Sequence, residues 1–202
     1  MNKENIKVLF NGYSKFENGN YFANCSCVLI KTTPCIIIDT MTSWDEEKLL
    51  NALNEEGVYA NDIKFVISTH GHSDHIGCNH LFKSATHIVG YSVSHRDEYF
   101  TEPDFRNNEE YVINEHVKVV PTPGHTLQDV TVLVETVDGL IAVTGDLFEK
   151  YEDLDDDCVW LNAGSDSETL QRENRRKILD IADYIVPGHG AMFKVPEKFK
   201  KN

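Results

Sequence analysis

Three histidines and an aspartate fall within six residues, His70-Gly71-His72-Ser73-Asp74-His75, directly after the apolar run 64–69. That run reads as a buried strand, so these side chains emerge together at its carboxyl end. His70 and His72 are two apart, and in an extended segment their rings leave on one side. Asp74 and His75 follow as the chain turns towards a helix, where they can address a second ion close by. Three later positions repeat the placement, a ligand type after a strand and beside a glycine. They are His125 in Pro123-Gly124-His125-Thr126, Asp146 in Thr144-Gly145-Asp146-Leu147 and His189 in Pro187-Gly188-His189-Gly190. Glycine permits tight turns and close backbone approach, which lets successive loops converge on one point. Seven such residues can hold two ions about 3.5–4 Å apart, the spacing of hydrolytic two-metal sites. Counted with Asp74, Asp146 and one hydroxide, two divalent ions still leave a net positive hole. It favours substrates that develop negative charge, a phosphodiester or an acyl group.

The elements that must position these residues are short. Runs rich in β-branched residues predict strands at 7–10, 26–31, 35–39, 64–69, 87–90, 117–120, 130–135, 140–144 and 184–186. Asp138-Gly139 is a hairpin signal, and Thr32-Thr33-Pro34 joins another pair. Ser43-Trp44-Asp45-Glu46 is a capping box, predicting a helix with the apolar stripe Leu49, Leu50, Leu53 and a stop at Gly57. A second box, Ser165-Asp166-Ser167-Glu168, opens a helix to about residue 182. The polar, aromatic stretch 92–111 reads as a helical turn plus loop. Two groups of strands with helices outside suggest an α/β fold, a four-layer sandwich.

At roughly 100–200 residues per domain, 202 residues predict one domain over 1–202. With 41% apolar and 26% charged residues the chain is of ordinary globular composition, which argues against wholesale disorder. Lys and Arg number 19 against 33 Asp and Glu, a formal net charge of −14. That excludes a basic protein coating DNA and a polybasic membrane binder. No apolar run approaches the ~20 residues that span a bilayer, and the start lacks a secretory h-region. The expectation is a cytoplasmic or nuclear protein that is not secreted and has no membrane partner. Cys25, Cys27, Cys35, Cys78 and Cys158 are odd in number and form no metal knuckle, so reduced thiols are expected. The sequon Asn24-Cys25-Ser26 is then a chance match.

The run His70-x-His72-x-Asp74-His75, followed in order by His125, Asp146 and His189, resembles the metallo-β-lactamase superfamily over essentially the whole chain. The resemblance implies an αββα fold. It places His70, His72 and His125 on a first metal and Asp74, His75 and His189 on a second, with Asp146 bridging. Asp74 and Asp146 would also serve the chemistry itself. Two zinc ions per chain are expected, with manganese or iron as alternatives for such a ligand set. A second set of matches is Asp146-Leu147-Phe148-Glu149, the run 171–179, Val186-Pro187-Gly188-His189-Gly190, and upstream Thr122-Pro123-Gly124-His125-Thr126 with Asp129-Val130. It resembles an RNA-cleaving branch of the family. That implies an endonuclease acting on single-stranded RNA at the 3′ end of histone pre-mRNA, and a homodimer.

The alternative is a glyoxalase II-like thioester or lactone hydrolase, and a third reading is metal binding without catalysis, which the complete ligand set disfavours. The common zinc β-lactamases place cysteine or serine where Asp146 stands, which argues against an antibiotic substrate. Glyoxalase II enzymes carry a further helical domain, whereas thirteen residues follow His189. The larger RNA-cleaving members have an inserted domain for which this length leaves no room. RNA is therefore expected to be held by this domain or its dimer.

Other signals have ordinary readings beside functional ones. His80, five residues beyond His75, suits the surface or an outer contact to the metals. His87 and His116 suit surface or packing roles, and His95 is a candidate proton donor if 92–111 overhangs the site. Cys25 and Cys27 suit the core, and Cys78 is surplus to the ligand set. The stretch 149–157 holds six carboxylates in nine residues and reads as a solvated loop. Arg172, Arg175, Arg176 and Lys177 form a charged helix face or, alternatively, a phosphate contact.

Overall fold

Successive side chains of a strand point to opposite faces, so a strand covered on both sides is apolar throughout. Cys27-Val28-Leu29-Ile30 and Ile36-Ile37-Ile38 are of this kind and are wholly buried. Val28, Ile30, Ile36 and Ile38 face one cluster, which they share with Val119, Val132, Val134 and Val143. Cys27, Leu29 and Ile37 face a second with Leu49 and Leu53. Leu133 and Ala142 point the other way from their neighbours, into a third cluster with Ile178, Leu179 and Ile185. Three apolar layers between four layers of structure make an αββα sandwich, as expected. Each fully buried aliphatic side chain contributes about 1.5–3 kcal/mol.

The computed structural model describes residues 1–2 and 5–200. In chain order the strands are β1 (Ile6–Phe10), β2 (Tyr13–Glu17), β3 (Asn20–Asn24), β4 (Cys27–Ile30), β5 (Cys35–Ile38), β6 (Ile63–Ser68), β7 (Thr86–Val89), β8 (Ser92–His95), β9 (Glu98–Phe100), β10 (Tyr111–Asn114), β11 (Val117–Pro121), β12 (Val130–Thr136), β13 (Gly139–Gly145), β14 (Tyr184–Pro187) and β15 (Phe193–Lys194). The helices are α1 (Glu46–Glu55), α2 (Ser73–Ile76), α3 (Asp157–Ala163) and α4 (Glu168–Ile181). One sheet runs β1-β4-β5-β6-β7-β8-β9, the other β10-β11-β12-β13-β14-β15, and β2-β3 stand apart as a hairpin. Because β11 and β13 are both antiparallel to β12, and β14 is parallel to β13, all three end at the same edge. Among the described residues no helix is long and apolar enough to cross a membrane. The reading of the first six residues rests partly on residues 3 and 4, and the count after His189 includes 201 and 202; these four lie outside the described residues.

All nine expected strands are present, with ends shifted by at most one residue. The stretch 92–111 is a correction: it forms β8, β9 and a single 3-10 turn at Phe105–Asn107, and only Tyr111 belongs to β10. Pairing of β8 to β7 on one side and to β9 on the other overrides the weak local signal. A second correction is the hairpin β2–β3, which was not expected. Its turn is Asn18-Gly19, both with positive φ (51° and 79°), the conformation that Asn-Gly favours.

The capping boxes are realised differently. Ahead of α1, Asp45 accepts from the Thr42 hydroxyl and from Asn24 Nδ2, and Ser43 Oγ donates to Gly77 O, so no side chain caps the helix. At α4 the capping residue is Ser167, which accepts from Leu170 N, while Ser165 donates to Gly124 O.

The solvated-loop reading of 149–157 is also corrected. Glu149 and Asp153 are buried, and Asp157 begins α3. Asp153 is held by a bidentate pairing with Arg175, whose guanidinium also donates to Leu147 O. Burying that pair needs this full set of partners to be tolerable. Arg172 pairs with Asp157, Arg176 with Asp180 at 3.2 Å, and Lys177 donates to Asn174 Oδ1. Of the basic cluster of α4, Arg175 is buried in its pairing with Asp153, while Arg172, Arg176 and Lys177 stay exposed.

Candidate metal centre

Every ligand-type residue singled out by the sequence arrives at the shared edge. His70 and His72 follow β6, Asp74 and His75 lie in α2, His125 follows β11, Asp146 follows β13 and His189 follows β14. His70 Nε2 and His72 Nδ1 are 2.9 Å apart, and His125 Nε2 is 3.1 Å from His72 Nδ1. Asp146 Oδ2 completes the group at 3.4 Å from His125 Nε2 and 3.7 Å from His70 Nε2. A tetrahedral zinc with bonds of about 2.0–2.1 Å has ligand-to-ligand edges of about 3.3–3.4 Å, which these separations bracket. On the other side, Asp146 Oδ1 is 3.2 Å from His75 Nε2, and Oδ2 is 3.2 Å from His189 Nε2. Asp74 Oδ2 is 3.8 Å from His189 Nε2. Asp146 thus stands between two groups, as a bridging carboxylate would.

The far ring nitrogens of four of the five histidines are engaged, which sets their tautomers. His75 Nδ1 faces Asp39 Oδ2 at 2.9 Å, His125 Nδ1 faces Gly164 O at 2.8 Å and His70 Nδ1 faces Thr69 Oγ1 at 3.2 Å. His189 Nδ1 is held by two carbonyls of the hairpin, Asn24 O at 3.0 Å and Tyr13 O at 3.2 Å. Asp129 fixes the loop carrying His125 by accepting from Thr126 N and Oγ1, and burial pushes its carboxyl up to about 7. Gly188 has no room for a side chain, since a Cβ would run into Asp146 Oδ1.

The residues fit divalent ions on an internal test. His75 Nε2 and Asp146 Oδ1 are buried side by side, yet neither has a hydrogen-bond partner. Two buried polar atoms so close and so misaligned are explained by a common ion between them. Electrostatics agree. Burial, reinforced by the neighbouring imidazoles, holds His70 and His72 below the usual histidine range, so they stay neutral. At His75 burial opposes charge, but Asp146 and Asp39 outweigh it and raise the ring well above that range. At His189 burial again opposes charge, and Asp146 outweighs it to bring the group to about 9. These two protons stand where a cation would.

Metal uptake is therefore expected to expel protons. Ligation requires neutral rings, and at pH 7.5 the metal-free chain holds protons on His75 and His189. Calorimetric titration in buffers of different ionisation enthalpy should show about two protons leaving these rings as the chain fills. Affinity should rise with pH through about 9, where His189 loses its proton without metal. Uptake that releases no protons would show that these nitrogens are not the ligands.

The sequence missed two participants. Asp39 is buried with φ +53°, accepts from Thr69 N at 2.8 Å and orients His75. Glu149 is buried beside Asp146 and His189 and was read as part of the solvated loop. Its carboxyl is pushed up to about 8 by burial, then by Asp146. Other histidines stay apart from the centre. His80 is on the surface, 3.3 Å from Glu46, and His95 is bonded to Ala85 O rather than poised as a proton donor. Cys25 and Cys27 pack in the core as expected, and Cys78 Sγ lies against Thr42 O.

A cleft of about 510 Å³ opens over the centre. One wall is the hairpin, with Lys15, Phe16 and Tyr21, and the other is α3, with Val159 and Ala163. His72, Asp74 and Glu149 are on its floor.

The model of the metallo-beta-lactamase superfamily matches residues 20–189. The chain is 41% identical over 194 residues to metallo-beta-lactamase domain-containing protein 1 of Xenopus laevis, with 94% of this chain and 81% of the relative covered. It spans 59% of the length of the human protein of the same name. Among solved structures, a metallo-beta-lactamase-like protein of Thermotoga maritima superposes with a TM-score of 0.68 at 24% identity, covering 94% of this chain and 98% of the other. AiiA of B. thuringiensis with N-decanoyl-L-homoserine bound at its active site superposes with a TM-score of 0.61 at 20% identity, covering 83% and 82%.

Proposed function

The chain belongs to the metallo-beta-lactamase superfamily, and from that membership and the centre's geometry we propose that it is a two-metal hydrolase cutting single-stranded RNA. The observation that carries the substrate class is the rim of the cleft. Phe16 and Tyr21 expose 63% and 78% of their surface there, with ring centroids 4.8 Å apart. Unpaired bases stack on such faces for about 1–3 kcal/mol each, while cations track the backbone. Lys15, which also pairs with Glu17 at 2.6 Å, and Lys150 line the cleft and are the cations for that role.

His70, His72 and His125 would hold one ion and Asp74, His75 and His189 the other, with Asp146 shared. When bound, zinc ions supply Lewis acidity and acidify water. The protein's part is to place and relieve charge. Asp74 has 20% of its side chain exposed and faces the cleft, where it can hold a proton of the attacking water. All five histidines of the centre are committed to ligation, so none is left as a base for a ribose 2′-hydroxyl. Products should therefore carry a 5′-phosphate and a 3′-hydroxyl, and a single 2′-deoxy substitution at the cut should not block the chemistry. Mass spectrometry of fragment ends measures this, and a 2′,3′-cyclic phosphate would overturn it. The proposal includes a homodimer, which light scattering measures directly.

A second reading is a thioester or lactone hydrolase. The apolar wall of Ala23, Val159 and Ala163 suits an acyl chain, and AiiA carries an acyl homoserine on this fold. Metal-loaded protein assayed side by side on single-stranded RNA, a glutathione thioester and an acyl homoserine lactone decides between them. Turnover of an acyl substrate with none of RNA would replace the first reading by the second.

A further inference from the structure

Glu149 lies three residues beyond the bridging Asp146, and its backbone is pinned from both sides. Its N–H donates to Asp153 Oδ2 at 2.7 Å, and its carbonyl accepts from His189 N at 2.8 Å. Asp153 is itself locked by Arg175, so the stem of Glu149 has little freedom. The side chain is 2% exposed and lies at the floor of the cleft. A carboxylate oxygen lies within 4.8 Å of ligand atoms of both Asp146 and His189. Oε1 is buried without a hydrogen-bond partner, and no ion pair among the described residues includes Glu149. The nearby guanidinium of Arg175 is occupied by Asp153 and Leu147 O. A buried carboxylate without a partner is costly. Asp146, one of those two neighbours, has its own Oδ1 buried without a hydrogen-bond partner. Two neighbouring carboxylates with unpartnered buried oxygens, and an imidazole within reach of both, ask for a cation.

We propose that Glu149 is a further oxygen ligand of the second metal position, beside Asp74, His75, Asp146 and His189. The inference rests on the two-metal reading and is independent of which substrate is cut. It makes the two positions chemically unlike. The first has three imidazoles and one carboxylate, a set suited to tetrahedral zinc. The second has three carboxylates and two imidazoles, an oxygen-rich set with more ligands than a tetrahedron uses. That favours manganese or ferrous iron. A third carboxylate also cancels one positive charge, leaving this half of the centre less attractive to anions than a site without it.

The test uses metal alone. Metal-free wild type and Glu149→Gln are each given one equivalent of Zn2+ and then titrated with Mn2+, with free Mn2+ read by electron paramagnetic resonance. Wild type should take up one Mn2+, and the variant should bind it at least about 10-fold more weakly. The zinc equivalent should be held equally by both. Thermal unfolding separates ligation from packing. The metal-free variant should melt close to metal-free wild type, because glutamine keeps the shape of the buried side chain and no partner is lost, while the rise produced by Mn2+ should shrink. Equal Mn2+ affinity overturns the role of Glu149, as does a metal-free variant destabilised by as much as the loaded one. If wild type itself takes one ion in all, the two-metal reading falls with it. Should Glu149→Gln not fold, Glu149→Asp withdraws the oxygen by one methylene and is held to the same expected direction.

Discussion

Asp146→Ala is expected to end turnover while leaving a folded chain. One carboxylate serves both halves of the centre, with Oδ2 3.4 Å from His125 Nε2 and 3.2 Å from His189 Nε2, and Oδ1 3.2 Å from His75 Nε2. Without it each half loses a ligand and nothing fixes their separation. The rate should fall by at least about 10²–10³-fold, the range for removing one electrostatic group at a reacting centre. The apolar layers do not include Asp146, so the metal-free melting temperature should stay close to wild type. Anion loss also removes the reason for His75 and His189 to hold protons, which softens the effect on the metal-free fold. Steady-state rates, metal content and thermal melts on one preparation test the claim. Near wild-type rates with two ions retained would show that the bridge is misassigned.

The second large effect is expected from a residue that touches no metal. Asp39 accepts from Thr69 N with Oδ1 and faces His75 Nδ1 with Oδ2, and Thr69 in turn meets His70 Nδ1. Asp39→Asn keeps the shape, and asparagine tolerates the positive φ of 53°. If its oxygen keeps Thr69 N, its amide faces His75 Nδ1 with a donor. The ring must then carry its proton on Nε2, where it cannot bind a metal. Affinity for the second ion should fall about 10–100-fold, the usual effect of losing such an outer contact. The first ion should be held nearly as before, since His72 and His125 are unaffected. Isothermal titration with Zn2+ resolves the two steps. An unchanged second step would mean that His75 is not a ligand.

The seven candidate ligands were legible because four crowd into one run after a strand and three recur at strand ends beside glycine, and the structure shows why two of those glycines are needed. Gly188 abuts Asp146, and Gly145 takes φ +51° against Thr69. The nine strands were legible because both sheets are covered on two faces, so their sequences are rich in apolar, β-branched residues, most completely in β4 and β5. Strands β8 and β9 were not, since Ser92, Ser94, His95 and Glu98 lie in the last two strands of the sheet, where pairing more than side-chain burial decides the conformation. The hairpin carried its own signal in Asn18-Gly19 between aromatic residues. It stands outside the sheets, with none of the apolar continuity that marks the other strands. Asp39 and Glu149 were hidden for a different reason. Charge in a sequence implies solvent unless a partner is visible, and their partners lie 36 and 40 residues away, at His75 and His189. Arg175 misled in the same way, because a basic residue on an acidic chain suggests a ligand contact until Asp153 is seen beneath it.

His189 is held in place by Tyr13 O and Asn24 O, which are backbone atoms at the root of the hairpin. A carbonyl is the same whatever side chain its residue bears. Side chains from Ser14 to Ala23 can therefore be exchanged, lengthened or charged without altering what the ligand sees, as long as the hairpin keeps its register. The wall that meets the substrate and the support that steadies the metal are one segment, yet they draw on different atoms of it. Descent from a common ancestor could thus vary what enters the cleft many times over while the chemistry beneath stayed fixed.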